Sequence, residues 1–191
     1  MDLSNAFNSI DRSAVRSAVR RVVPALAPWV DFCYDQDTPL MLGLHRLASG
    51  RGVHQGDPLG PALFALAIQE CIHSAREETI SEYPNELDFV AFYLDDGVLG
   101  GTSRATLKFC EKLERQLLDV GLTMQRSKCK VIPAAGHCHG IPEGAYGDFD
   151  FDAEGNFELL GAPFGSAAFC CGHTRKRKQK GLGSAGADRL S

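Results

Sequence analysis

The sequence lacks several features that would assign it at once to a class of protein. It contains no run of about 18 apolar residues, so no membrane-spanning helix is predicted. Residues 1–9 include an acid and two asparagines and have no apolar core, so no secretory signal peptide is predicted. The seven cysteines are odd in number and irregularly spaced, which does not indicate a disulfide framework. We therefore expect free thiols and an intracellular location, nuclear or cytoplasmic.

The sequence also lacks the net positive charge that is typical of nucleic-acid-binding proteins. It carries 20 basic and 24 acidic side chains, a net charge of −4. Residues 1–174 hold 14 basic and 23 acidic residues, whereas residues 175–191 hold six basic and one acidic residue. An acidic body disfavours direct binding to a phosphate backbone. It remains compatible with carboxylates that act through bound cations, because the cations reverse the local charge.

The sequence does contain a succession of helix and strand patterns. The predicted helices are Ser13–Val23 with Ser13 as N-cap, Pro61–Ala75 and Ser103–Val120; the predicted strands are Leu40–Leu47, Leu87–Tyr93, Val98–Gly100, Leu122–Met124 and Cys129–Ile132, followed by a hairpin of Phe149–Asp152 and Asn156–Leu160. This order predicts an α+β fold with helices on one face of an antiparallel sheet. The Pro61–Ala75 helix is apolar nearly all round, so we expect it to be buried against that sheet.

The first candidate for chemistry is the segment 93–97, Tyr-Leu-Asp-Asp-Gly, where Asp95 and Asp96 are predicted to occupy a tight turn between two strands. Adjacent carboxylates repel each other unless a cation lies between them. Mg²⁺ binds one or two carboxylates together with substrate phosphates. The segment therefore predicts a metal site, although Asp and Gly are also common in ordinary hairpin turns.

The second candidate is the segment 2–8, Asp-Leu-Ser-Asn-Ala-Phe-Asn. A two-metal site needs a further carboxylate on a neighbouring strand, and Asp2 offers one. Phe7, five residues further on, offers an aromatic ring close to it. Asp2 taken alone is better explained as the N-cap of a helix.

The third candidate is the segment 51–61, Arg-Gly-Val-His-Gln-Gly-Asp-Pro-Leu-Gly-Pro, directly before the apolar helix. Glycine lets a backbone approach a ligand closely, and the N-terminus of a helix favours anionic groups. A glycine-rich turn between strand and helix explains the same residues without a ligand.

Together these segments resemble motifs A, B and C of reverse transcriptases: Asp-x4-Phe, then Gln-Gly-Asp-Pro-Leu-x-Pro before a helix, then Tyr-x-Asp-Asp. Residues 121–128 are similar to motif D, and residues 159–161, Leu-Leu-Gly, are similar to the primer-grip hairpin called motif E. Motif B matches the non-LTR retrotransposon and group II intron lineage most closely. The resemblance extends from Asp2 to about Arg177.

The resemblance implies a polymerase palm, an α+β domain with a ferredoxin-like antiparallel sheet. Residues 1–132 would form the palm with motifs A to D, residues 133–148 a loop, and residues 149–165 the primer-grip-like hairpin. Residues 166–191 would be a truncated start of the thumb or a disordered basic tail. The basic run 174–180 fits the opening of a thumb helix, a nuclear-import patch or a solvated tail. Because the resemblance starts inside motif A, we expect a truncated fragment that does not polymerise by itself.

The resemblance also implies roles for particular residues. The implied catalytic residues are Asp2, Asp95, Asp96 and Lys128; the implied metal ligands are Asp2, the Leu3 carbonyl, Asp95 and Asp96; and the implied substrate-binding residues are Leu3, Asn5, Ala6, Phe7, Gln55, Gly56 and Tyr93. Phe7 resembles the steric gate that excludes a ribose 2′-hydroxyl, and Lys128 resembles the proton donor to pyrophosphate. Gln125 stands where motif D usually has asparagine, which weakens the assignment of Lys128.

The implied activity is RNA-directed DNA polymerisation, in which two Mg²⁺ ions, or Mn²⁺, promote nucleotidyl transfer to a primer 3′-hydroxyl. The implied partners are an RNA template, a DNA primer and deoxynucleoside triphosphates, with no membrane; the sequence does not specify an oligomeric state. The alternative is a catalytically inactive remnant of a mobile element that binds nucleic acid through its basic tail.

Overall fold

The computed structural model describes residues 1–133, 144 and 146–187, with side chains described as far as residue 179. The chain divides into two compact units, Met1–Arg126 and Ser127–Ser191. This boundary falls inside the motif D segment and precedes the predicted palm boundary at residue 132. Lys128 therefore belongs to the second unit.

The first unit holds five α-helices and four β-strands, apart from short 3₁₀ turns. The helices are α1 (Ala6–Ser9), α2 (Arg12–Val22), α3 (Ala27–Tyr34), α4 (Gly60–Glu82) and α5 (Ser103–Asp119), and the strands are β1 (Thr38–Leu42), β2 (His45–Ser49), β3 (Leu87–Tyr93) and β4 (Asp96–Gly101). Helix α5 matches its prediction closely because Thr102 caps it by accepting from the Ala105 N–H at 3.3 Å. The predicted N-cap of α2 is wrong, since the helix already begins at Arg12 and Asp11 precedes it as N-cap.

The core of the first unit lies between α2, α4 and α5. Helix α4 packs mainly on α5 and α2 and only slightly on β3. The prediction that it is buried mainly against a sheet is therefore wrong, because its main partners are helices. The buried side chains of these three helices include Val15, Val19, Leu63, Phe64, Ile68, Phe109, Leu113 and Leu117. Each large apolar side chain buried in this way contributes roughly 1.5–3 kcal/mol.

The strands of the first unit form small antiparallel hairpins. β1 and β2 pair through a turn at residues 43–44, where the sequence predicted one strand over Leu40–Leu47. β3 and β4 pair from Leu87 opposite Gly101 to Tyr93 opposite Asp96. Asp96 is therefore the first residue of β4, which corrects the prediction that it lies in the turn.

The N-terminal segment joins β4 to residues 123–125. The Met1 ammonium donates to the Gly97 carbonyl at 2.6 Å, and the Gly97 N–H donates to the Met1 carbonyl at 3.1 Å, a reciprocal exchange that marks antiparallel pairing. On the other side Leu3 forms an antiparallel bridge with Met124. These contacts bring the two ends of the first unit together beside the β3–β4 hairpin. A mixed fold of helices and small antiparallel sheets is thus confirmed.

The second unit contains β5 (Lys130–Val131), β6 (Asp150–Phe151), β7 (Phe157–Leu159), β8 (Ala162–Phe164) and α6 (Ala167–Ala187). The predicted hairpin of Phe149–Asp152 with Asn156–Leu160 is wrong, because β6 pairs in parallel with β5 and β7 pairs with β8. The turn between β7 and β8 is made by Leu160 and Gly161 at φ values of 49° and 77°. Helix α6 covers most of residues 166–191, for which the sequence left open the start of a thumb or a disordered basic tail. The predicted loop 133–148 lies mostly outside the described residues.

Candidate active site

The three predicted catalytic acids lie on adjoining segments of the first unit. Asp95 is the second residue of the two-residue turn between β3 and β4, and Asp96 opens β4. The next residue, Gly97, exchanges backbone hydrogen bonds with Met1, so Asp2 follows directly on the neighbouring segment. Residues separated by more than 90 positions in the sequence are therefore neighbours.

The electrostatics of Asp96 report the proximity of the other two acids. Burial raises the pKa of the Asp96 carboxyl above its ordinary value, and the negative charges of Asp95 and Asp2 raise it further. The N-terminal ammonium offsets part of this effect. Like charges thus concentrate at this point, an arrangement that a cation would relieve.

The turn that carries Asp95 has one unusual backbone position, and the strand after it has a close side-chain contact at a glycine. Leu94 has a φ of 58°, a left-handed conformation that costs a non-glycine residue about 1–2 kcal/mol. At Gly97, a Cβ atom would lie 2.4 Å from the ring of Phe92, so glycine lets that ring cover the start of β4. A strained backbone position such as Leu94 is frequent at functional sites.

Carboxylate and carbonyl oxygens are the ligands that hard divalent cations prefer, so the donor chemistry of Asp2, Leu3, Asp95 and Asp96 fits Mg²⁺. Leu3 is buried beside them, at 3% exposure. Within the described residues, no group of three or more His, Cys, Asp or Glu side chains is arranged to hold a metal ion. The acids are therefore neighbours whose side chains need adjustment to share a cation.

Phe7 lies in α1, five residues after Asp2, and contacts α4. Its half-buried ring stacks on that of Phe64 in α4, with centroids 4.6 Å apart and planes inclined by 20°. The Val53 N–H donates to the Phe7 carbonyl at 2.8 Å, and the Gln55 amide reaches Asn8 at 3.5 Å. The structure thus brings the motif B segment against Phe7.

The remaining predicted substrate residues surround this contact or end the adjacent strand. Gln55 and Gly56 are exposed, and Gly56 has a φ of 89° with open space where a Cβ would lie. Asn5 precedes α1 with a φ of 46°, and Ala6 is buried. Tyr93 ends β3 with 64% of its surface exposed.

Sequence reasoning missed a buried polar network beneath the motif B segment. Arg12, only 6% exposed, donates to the Gly52 carbonyl at 3.0 Å, and one of its nitrogens lies 3.2 Å from Nε2 of His54. Tyr34 stacks on His54 and donates a hydrogen bond to Asp57. A basic residue on the apolar face of an amphipathic helix, three residues before Val15, was the available signal.

Burial and charge shift the proton affinities in this network. Burial raises the pKa of Tyr34 to about 12, and its hydrogen bond to Asp57 contributes to the rise. Burial lowers the pKa of His54, and the positive charge of Arg12 lowers it further. Tyr34 therefore stays a donor and His54 stays neutral at physiological pH.

Lys128, the last predicted catalytic residue, ends a short 3₁₀ helix at Arg126–Lys128 and is exposed. It lies in the second unit, so its role stays a prediction. Among the described residues, no helix has the length and apolar character needed to cross a membrane. The six cysteines of the described part, at positions 33, 71, 110, 129, 170 and 171, are free thiols.

Comparison with known proteins agrees with the motifs. Residues 1–166 match the family described as Reverse transcriptase (RNA-dependent DNA polymerase). The chain belongs to this family, and the resemblance drawn from the five motifs is confirmed.

Two retrotransposon proteins are similar to the chain. It is 27% identical over 143 residues to the Retrovirus-related Pol polyprotein from type-2 retrotransposable element R2DM of Drosophila melanogaster, covering 71% of this chain and 14% of that protein. It is 29% identical over 138 residues to the Retrovirus-related Pol polyprotein from type-1 retrotransposable element R2 of Bradysia coprophila, covering 69% of this chain and 16% of that protein. The chain thus spans a small part of these relatives.

Proposed function

We propose that this chain is the palm of an RNA-directed DNA polymerase from a retrotransposon, which extends a DNA primer on an RNA template with deoxynucleoside triphosphates. The observation that carries the proposal is the antiparallel pairing of Met1 with Gly97, which puts Asp2 beside Asp95 and Asp96. The hydrogen-bonded order of β3, β4, the N-terminal segment and residues 123–125 supports a ferredoxin-like palm. Free cysteines support a reducing compartment, nuclear or cytoplasmic.

In this proposal Asp2, Asp95 and the Leu3 carbonyl would hold two Mg²⁺ ions, or Mn²⁺, with Asp96 beside them. The bound metals would lower the pKa of the primer 3′-hydroxyl and neutralise charge on the phosphates. Backbone pairing of Met1 with Gly97 and of Leu3 with Met124 fixes the positions of these ligands. Lys128 would give a proton to the leaving pyrophosphate.

Phe7 is the proposed steric gate. Stacking on Phe64, whose side chain is fully buried, fixes the half-buried ring of Phe7 against α4. A fixed ring would exclude a 2′-hydroxyl by contact. Backbone groups of Asn5 and Ala6 would approach the triphosphate, and Gln55, Gly56 and Tyr93 would line the nucleotide site.

The proposal is tested by primer extension on an RNA template. Residues 1–166 would replace the matching segment of an R2-type polymerase, and extension would be measured with Mg²⁺ and with Mn²⁺. We expect extension that Asp95→Asn abolishes. Asp88→Asn, an exposed acid on the same hairpin, is the matched control and should leave extension unchanged. Absence of extension by the chimera, or its persistence in Asp95→Asn, would contradict the proposal.

A further inference from the structure

Arg12 is a buried cation whose hydrogen-bond acceptors carry no formal charge. Its side chain reaches the carbonyls of Gly52, Gln36 and Arg51 at 3.0, 3.3 and 3.4 Å and the Ser49 hydroxyl at 3.1 Å. Burial is the largest influence on Arg12 and lowers its pKa, while the charge of Asp37 raises it. A buried charge with no ion pair among the described residues is costly, so a residue in this position is expected to serve a specific arrangement.

Three of the five hydrogen-bond partners of Arg12 belong to one segment, residues 51–57, here called the 51–57 loop. Arg12 contacts Arg51, Gly52 and His54 of this loop. Because a guanidinium only donates, Nε2 of His54 accepts, which assigns the neutral Nδ1–H tautomer to the ring. The several N–H donors of the planar Arg12 guanidinium thus fix the first half of the loop, residues 51–54.

Tyr34 fixes the second half of the loop. Its ring stacks on His54 with centroids 4.6 Å apart, its hydroxyl accepts from the His54 N–H at 3.1 Å, and it donates to Asp57. The Arg12 guanidinium lies 5.5 Å from the centroid of the same ring, so the two anchors contact each other. Asp57 also accepts from the Leu59 N–H at 2.9 Å, which ties the loop to the start of α4.

The two residues between His54 and Asp57, Gln55 and Gly56, are exposed to solvent. The loop also touches Phe7 directly, through the Val53 N–H and the Phe7 carbonyl at 2.8 Å. A displacement of the first half of the loop would therefore move Gln55 and Gly56 relative to the ring of Phe7.

We propose that Arg12 is a positioning residue that holds the 51–57 loop against Phe7 and thereby sets the affinity for the incoming deoxynucleotide. This inference rests on the proposed function. Lysine keeps the charge but presents a single point donor, whereas arginine offers five donors in a fixed plane. Arg12→Lys should therefore fail to hold the carbonyls of Gly52 and Arg51 together with His54.

The experiment uses the whole chain and compares Arg12→Lys and Arg12→Gln with Arg21→Lys, an exposed arginine on the same helix. Amide hydrogen exchange would follow Gly52 and Val53, and an NMR titration with dTTP and Mg²⁺ would give the affinity. In Arg12→Lys we expect exchange about tenfold faster at these amides. We also expect dTTP affinity about tenfold weaker, because small displacements of positioning groups have large effects. Arg21→Lys should match wild type in both.

The histidine ring gives a second readout, which reports the contact between Arg12 and the loop directly. Arg12→Gln removes the positive charge that lowers the pKa of His54, so that pKa should rise in this variant and stay unchanged in Arg21→Lys. If Arg12→Gln does not fold, Arg12→Lys still tests the geometry through exchange and affinity.

The outcomes separate this inference from the proposed function. Wild-type affinity in Arg12→Lys, with or without faster exchange, would overturn the positioning role while the proposed function stands. Unchanged exchange at Gly52 and Val53 would overturn it as well. A wild-type chain that does not bind dTTP would overturn the proposed nucleotide site and this inference together.

Discussion

Replacing Gly52 by alanine tests the contact between the 51–57 loop and the segment that carries Phe7. Gly52 has a φ of 73°, and an added Cβ would lie 2.6 Å from both Cα of Asn8 and the carbonyl oxygen of Phe7. The left-handed backbone alone costs alanine about 1–2 kcal/mol. The collision is with backbone atoms, which cannot rotate away, and overpacking of this kind costs typically about 1–3 kcal/mol more. We expect Gly52→Ala to lower the free energy of unfolding by about 2–5 kcal/mol, the sum of these two effects.

Gly43 provides the matched control for this prediction. It has a φ of 61°, and an added Cβ there would meet no atom within 4 Å. Gly43→Ala should therefore carry only the backbone cost, and the difference between the two variants isolates the steric contact. Urea denaturation of the whole chain, followed by tryptophan fluorescence and circular dichroism, measures both. Equal losses of stability in Gly52→Ala and Gly43→Ala would refute the reasoning.

Three further predictions follow from the site. Phe7→Val in the chimera should admit ribonucleotides while deoxynucleotide use persists; unchanged discrimination in single-nucleotide incorporation would exclude the gate. Because the pKa of Asp96 is raised in the folded chain, its charge opposes folding at neutral pH, so without metal Asp96→Asn should be more stable than wild type at pH 7 and lose that advantage below about pH 4. Because the pKa of His54 is lowered, wild-type stability should fall as pH drops below about 6.5, and urea titrations should find this decline smaller in His54→Gln.

The local patterns of the sequence were enough to predict the helices and to identify the motif segments. Helix α5 shows its apolar stripe at Cys110, Leu113 and Leu117, which follows the period of a helix, and the structure buries all three. The order of the motifs predicted the family, which the match over residues 1–166 confirms. These properties depend on neighbours within a few positions, and such neighbours are visible in a sequence.

The pairing of strands was decided by the tertiary structure. The alternating pattern of a strand has the same period whichever partner it takes. The segment Asp150–Phe151 could therefore be recognised as a strand, while its pairing with Lys130–Val131 could not. The same reason explains why one strand was predicted where the chain forms the β1–β2 hairpin.

The site divides in the same way between sequence and structure. The sequence by itself determined which acids and which aromatic ring are available, because Asp2, Phe7, Asp95 and Asp96 occur in recognisable motifs. Only the tertiary structure decided that Met1 pairs with Gly97, which makes Asp2 a neighbour of the other acids. It also decided the surroundings of Arg12, because the acceptors that make a buried cation tolerable come from segments up to 42 positions away. No local pattern encodes a balance between burial and hydrogen bonding that forms only when distant segments meet.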